Sequence, residues 1–284
     1  MMLRREFLTG LTATILAGRC SANALVRLVE PYAIVPGDYS DYVTDYLDKM
    51  RHYDEPNRED IFVARDDYRV FESCTKRLRR LEQTAGGGNF QLLALDEALS
   101  IGRDYPRVGE FPRAELDFLE KIFYFDATRY GFYDNKHLQR ITDRIPAQEA
   151  VKVPYSGTYL YRGVPLDTYQ RIKRDVGDSI ILTSGVRGVM KQFHLFLRKA
   201  CDHDGNLSLA SRSLAPPGYS FHGISDFDVG QVGLGGGNFT SRFTTTEAYR
   251  RLQELDYLNL RYPLDNLLGV RFEPWHVKVE AHIP

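Results

Sequence analysis

Three short stretches in the last third of the chain hold the residue types that metal-assisted hydrolysis needs. They are Ser184-Gly185-Val186-Arg187, then Ser220-Phe221-His222 closing on Phe227-Asp228-Val229, then Glu273-Pro274-Trp275-His276. Two imidazoles and a carboxylate suit zinc, which accepts borderline nitrogen and oxygen ligands and in catalytic sites keeps a fourth position for water. His222, Asp228 and His276 are therefore the candidate ligands. Glu273, three residues before His276, is the candidate base for that water, with Pro274 expected to hold the backbone extended so that the carboxylate lies near the metal without ligating it. Asp226 competes with Asp228 for the ligand role. Alternation favours Asp228, because it sends Phe227 and Val229 to the opposite face of a strand.

Mixed helices and short strands must position these groups. Helical spacing of Tyr42, Tyr46, Leu47 and Met50, and of Val70, Cys74, Leu78 and Leu81, predicts helices through much of 41–144, interrupted at Gly86-Gly87-Gly88-Asn89. A further helix is predicted to begin at Pro112, a tolerated first-turn residue. His52 and His137 stand alone there, so this half reads as a helical accessory region. After a loosening at 146–156 the pattern alternates: a helix over 166–176, a strand at 179–183, a helix over 189–199, short strands around Leu207, Phe227 and Val270, and a helix near Thr245, where hydroxyls and Glu247 offer a cap. Without regular βαβ alternation this is an α+β arrangement. Val232-Gly233-Leu234-Gly235-Gly236-Gly237 lacks the lysine and the strand-to-helix setting of a phosphate loop and reads as a mobile loop beside the site.

The chain has 284 residues with 37 basic and 38 acidic side chains, a formal charge of -1. No global field favours nucleic acid or an anionic membrane. Arg4-Arg5-Glu6-Phe7-Leu8, a short apolar run to Gly18 and Ala22-Asn23-Ala24 have the three parts of a cleavable export signal, similar to the twin-arginine type. No later segment approaches the roughly 20 apolar residues of a spanning helix, so no stable membrane insertion is expected after cleavage. The expected divisions are thus a signal at 1–24, a helical region at 25–150 and a metal-site domain at 151–284. Cys74 and Cys201 would remain after cleavage, as a disulfide or as two free thiols.

Ser-Gly-x-Arg, Ser-x-His with a downstream aspartate, and Glu-Pro-Trp-His preceded by Leu260-Arg261-Tyr262-Pro263 together resemble the VanY-like D-alanyl-D-alanine carboxypeptidases of the LAS metallopeptidase group, over about 151–280. The resemblance implies a small antiparallel sheet with helices, and zinc held by His222, Asp228 and His276. It implies that Glu273 takes a proton from the bound water and passes it to the leaving amine. Arg187 would bind the substrate's terminal carboxylate or the carbonyl under attack, Gln192 matches a family glutamine, and Ser220 would hydrogen-bond substrate. The spacing from His222 to Asp228 is one residue short of the family's, Ser225 stands at the customary glycine, and Val186 replaces a tyrosine. The implied substrates are peptidoglycan stem peptides, met in the periplasm or outside the cell. A cross-link endopeptidase and a non-catalytic wall-binding protein of the same fold are the alternatives, and the oligomeric state is left open.

Overall fold

The alternating residues around Asp228 form the middle of a three-stranded antiparallel sheet. In this computed structural model, which describes residues 39–280, strands β3 (Ile180–Ser184), β4 (Phe227–Gln231) and β5 (His276–Val277) lie in the order β3-β4-β5. Phe227 pairs with Val277, and Asp228 pairs with His276. On the other side Leu182 pairs with Val229, and after a one-residue irregularity Ser184 pairs with Asp228. That slip matters because Leu182 and Ser184 would otherwise share a face. With it, Ile180, Leu182, Phe227, Val229 and Val277 enter one hydrophobic core, while Ser184, Asp228 and His276 stand in register across three strands. Helices α5 (Val164–Val176) and α8 (Glu247–Glu254) cover the apolar face through Tyr169, Ile172, Ala248 and Leu252. A hairpin of β1 (Ala150–Lys152) and β2 (Tyr159–Tyr161) adds Leu160.

The helical region comprises α1 (Tyr39–Arg51), α2 (Tyr68–Ala85), α3 (Leu95–Asp104) and α4 (Arg113–Tyr124). Phe71, Cys74, Leu78 and Leu81 recur at helical spacing on α2 and are fully buried. They pack with Phe118, Leu119 and Phe123 of α4, and with Val189, Met190, Phe193, Phe196 and Leu197 of α6 (Val189–Cys201), in one core. Helix α6 follows the Arg187 motif directly, so the helical layer and the site-bearing part share a core across residue 150. From Tyr42 onward the described residues cluster as one compact unit. A buried ion pair ties α2 to α4: Arg77 Nε lies 2.5 Å from Glu115 Oε2, and Arg77 Nη1 also donates to the Val108 carbonyl at 2.6 Å.

Two predicted strands are absent. Leu207–Ser211 is a helical turn, α7, because the Asn206 side chain accepts from Leu209 N at 2.8 Å and caps it; capping overrides the alternating Leu-Ser-Leu pattern. Around Val270 the backbone does not pair as a strand: Arg271 N donates to the Arg212 carbonyl at 2.8 Å, and the strand begins only at His276. The glycine-rich segment forms a short 3-10 turn over Gly235–Phe239. Cys74 and Cys201 are both free thiols. Among the described residues no helix is long and apolar enough to cross a membrane. The expected signal at 1–24 lies outside the described residues.

Candidate metal centre

Gly185 fixes the first ligand through backbone contact. A Cβ on Gly185 would lie 1.9 Å from the Tyr159 carbonyl oxygen, so only glycine permits this approach of β2. Val186 N then donates to Tyr159 O at 2.8 Å, and the Gly185 carbonyl turns toward His222 Nδ1, also at 2.8 Å. A carbonyl can only accept, so Nδ1 carries the proton and His222 Nε2 presents a lone pair. His222 sits on the turn Phe221–Gly223, held from outside by Tyr161 Oη donating to the Gly223 carbonyl at 2.6 Å. Arg187 N donates to the His222 carbonyl at 3.0 Å, so the first two motifs are bound backbone to backbone.

His276 is oriented by a different partner. Its Nε2 lies 2.9 Å from Asp226 Oδ2, which leaves Nδ1 facing Asp228. Asp226 is itself clamped by Arg261 Nε at 2.9 Å, Arg261 Nη2 at 3.1 Å and Val279 N at 2.9 Å. The two competing aspartates therefore stand on opposite edges of the His276 ring. Asp228 Oδ1 lies 3.3 Å from His222 Nε2 and 3.3 Å from His276 Nδ1, and the three candidate ligand atoms all lie within 4.8 Å of one another. A tetrahedral ion with bonds of about 2.0–2.1 Å spaces its ligands by about 3.4 Å. Asp228 Oδ1 is buried and accepts no hydrogen bond. Two lone pairs and a carboxylate oxygen converging in a buried place repel one another unless a cation or a proton lies between them, so the donor set fits a metal ion.

The same charges set how these groups ionise when no metal is bound. Burial and the Arg187 guanidinium push the His222 pKa down. Burial also works against the His276 imidazolium, but Asp226, Asp228 and Glu273 outweigh it and hold its pKa well above the usual histidine value. Burial opposes ionisation of Asp228 and of Asp226, yet His222 and Arg187 hold the first, and His276 and Arg261 the second, well below the carboxylate range.

Glu273 Oε2 lies 3.5 Å from His276 Nδ1, beside the donor set but outside it. Glu273 and His276 are joined by a turn, His276 N donating to the Glu273 carbonyl at 3.1 Å, in place of the extended backbone expected from Pro274. Arg187 donates from Nη2 to Asp228 Oδ2 at 2.8 Å and from Nε to Ser184 Oγ at 2.9 Å. Ser220, Arg187, Glu273 and the three candidate ligands all line one pocket of about 420 Å³. Gln192 does not: it is buried on α6 with its amide donating to the Ala215 carbonyl, and so fixes the loop bearing Ser220 from behind.

Several lining residues carry no motif in the sequence. Gln91, from the helical region, reaches the pocket because Gly188 N donates to its carbonyl at 2.7 Å; nothing local announces this. Lys191 and Lys199 also line it, and their signal was present as four-residue steps following Arg187. Arg261 stacks on Phe221, 3.5 Å from the ring centroid, while clamping Asp226.

An α+β domain whose small sheet gathers two imidazoles and a carboxylate under a pocket, with a second carboxylate alongside, has the construction of a metal-dependent hydrolase. Residues 166–281 match the sequence model of the family VanY, D-alanyl-D-alanine carboxypeptidase, and this part of the chain is similar to that family. Among solved structures, the chain is similar to the zinc(II) complex of a variant vancomycin-resistance D,D-pentapeptidase VanY from the VanB-type cassette, at 27% identity over 48% of this chain and 83% of that one, with a TM-score of 0.38. It is also similar to VanYB in complex with D-alanine-D-alanine, at 28% identity over 48% and 81%, with a TM-score of 0.39. No curated protein matches the chain.

Proposed function

We propose that the protein is an exported, zinc-dependent carboxypeptidase that removes a terminal D-alanine from peptidoglycan stem peptides. The observation that carries this is the convergence of His222 Nε2, His276 Nδ1 and Asp228 Oδ1, with Glu273 beside them, inside the part of the chain that is similar to the VanY family. His222, Asp228 and His276 would hold the zinc, which when bound would supply Lewis acidity and lower the pKa of water to near neutral pH. Glu273 accepts a proton from the attacking water at its carboxylate and returns it to the leaving amine. Arg187, fixed by Asp228 and Ser184, has further guanidinium donors for the substrate's terminal carboxylate, and Ser220 offers a hydroxyl on the same wall. Gly185 and Asp226 hold the two imidazoles in the tautomers that ligation requires. Export is supported by Arg4, Arg5 and the apolar run behind them, and the proposed location of the mature protein is the periplasm or outside the cell.

The test is mass analysis of purified pentapeptide-bearing peptidoglycan fragments after incubation with the protein, with and without a chelator. Loss of one alanine, abolished by the chelator and restored by zinc, is expected. Loss of a cross-link with no loss of alanine would establish an endopeptidase, and no change in mass would leave a wall-binding protein.

A further inference from the structure

Helix α6 has two working faces. Phe193, Phe196 and Leu197 enter the helical core, whereas Lys191, Leu195 and Lys199, at four-residue steps, line the pocket. Lys199 lies about 12 Å beyond Lys191 along the helix. Arg271 lines the same pocket. The wall thus carries four cations, and their partners divide them into two pairs.

Arg187 is matched by Asp228 at 2.8 Å, and Lys191 by Glu82 at 2.7 Å. Lys199 has no ion pair among the described residues. The nearest carboxylate oxygen to the Arg271 guanidinium is Glu273 Oε1, at 4.0 Å, and Arg271 Nε is buried without a hydrogen-bond partner. Lys199 and Arg271 thus share the wall with at most one long ion pair between them, and burial and then the Arg271 charge lower the Lys199 pKa, against weaker pulls from Asp54 and Asp202. Like charges held together in a half-buried wall cost energy in the absence of an anion.

Arg271 is also held in one orientation. Its guanidinium carbon lies 4.3 Å from the centre of the Tyr53 ring and 4.8 Å from that of Trp275, and Nη2 donates to the Phe239 carbonyl at 3.0 Å. A planar fork fixed in this way presents a donor edge suited to a planar oxyanion. Ser213 Oγ, buried on the same pocket, has no partner either.

We propose that Lys199 and Arg271, with Ser213 beside them, form a subsite for a second carboxylate of the peptide substrate, carried on a side chain on the amino side of the scissile bond. The inference rests on the carboxypeptidase reading, which gives Arg187 to the terminal carboxylate. The substrate class is then narrower than peptides ending in D-alanine: it is acidic peptides that carry a side-chain carboxylate a few residues before that end.

Four synthetic peptides ending in D-alanyl-D-alanine test this, with the side-chain carboxylate free or amidated and the terminal carboxylate free or amidated. Binding to the full-length, chelator-treated protein is measured by calorimetry, and cleavage by the zinc-loaded protein in parallel. A free side-chain carboxylate is expected to improve binding and kcat/KM about ten- to a hundredfold, as for a charge-assisted pair, and less at high salt. Lys199→Gln is expected to remove that preference and Lys199→Arg to keep it, with melting curves confirming that both fold. Equal binding of the acid and amide side chains by the wild type overturns the subsite, as does a Lys199→Gln variant that loses only the preference for a free terminus. A side-chain preference in binding with no cleavage of any peptide would sink the peptidase reading and leave the subsite standing.

Discussion

Replacing Asp226 by asparagine separates the orienting carboxylate from the ligating one. Oδ2 of Asp226 accepts from Arg261 Nε and His276 Nε2, and Oδ1 accepts from Val279 N and Arg261 Nη2. A carboxamide keeps one acceptor and turns the other into a donor. If the NH2 group takes the Oδ2 position it meets two donors, and the His276 ring can satisfy it only by moving its proton to Nδ1, the atom that faces Asp228. Removing an orienting partner of this kind costs about 10- to 100-fold in metal affinity, or about 1.4–2.7 kcal/mol. Asp228→Asn removes the carboxylate that lies 3.3 Å from both imidazoles and is expected to cost more than that. Leaving Arg261 without its carboxylate also destabilises the fold, by less than the 3–5 kcal/mol typical of a fully buried pair because the Arg261 side chain is 15% exposed. The assay is competition for zinc between chelator-stripped protein and a chromophoric chelator, below the melting temperature of each variant. Wild-type affinity in Asp226→Asn, or a larger loss there than in Asp228→Asn, would refute the assignment of the two aspartates.

Glu273→Ala is expected to retain zinc and lose hydrolysis, whereas His276→Ala loses both; metal analysis beside a turnover assay distinguishes them, and full activity in the glutamate variant would sink the mechanism. Peptides with a free terminal carboxylate are expected to be cut about ten- to a hundredfold more efficiently than their amides, and Arg187→Ala to shrink that ratio; equal rates in the wild type would assign Arg187 to the scissile carbonyl. A hydrogen bond from His194, against burial and aided by Lys191, holds the Glu82 carboxyl down at about 2 from its usual 4.5. The folded state therefore gains stability from Glu82 that is full above about pH 4.5 and vanishes as pH falls through about 2, so the gap between wild type and Glu82→Gln in denaturant melts should close over that window, and parallel curves would contradict it. Arg4 and Arg5 replaced together by lysine should strand the precursor in the cytoplasm, which fractionation and immunoblotting would show.

Much of the site was legible because its chemistry lies in short motifs. The types and order of His222, Asp228, Glu273 and His276 mark a metal-dependent hydrolase, and alternation around Phe227-Asp228-Val229 already sends the carboxylate away from the apolar face. Helical spacing of buried apolar residues placed α2 and α6, since each buries a stripe that repeats with the helical period. Local chemistry misled at Leu207, where a cap overrode an alternating pattern, and at Pro274, where a turn replaced an extended segment.

The sequence by itself determined which atoms are available to a metal and in what order they enter the fold, because ligand chemistry belongs to residue type. Only the tertiary structure shows how Asp226 and Asp228 differ in their contacts, since both are buried carboxylates two residues apart and what separates them is the edge of the His276 ring each one meets. Only it turned the helical region into part of the pocket, through Gln91 and the core shared along α6, and left Lys199 without an ion pair among the described residues and Arg271 with a single long one to Glu273. Those outcomes depend on contacts between residues far apart in the chain, and no spacing rule reaches across such distances. Registry across β3, β4 and β5, set by which apolar side chains fill the core beneath, is the physical step that converts three separate motifs into one site.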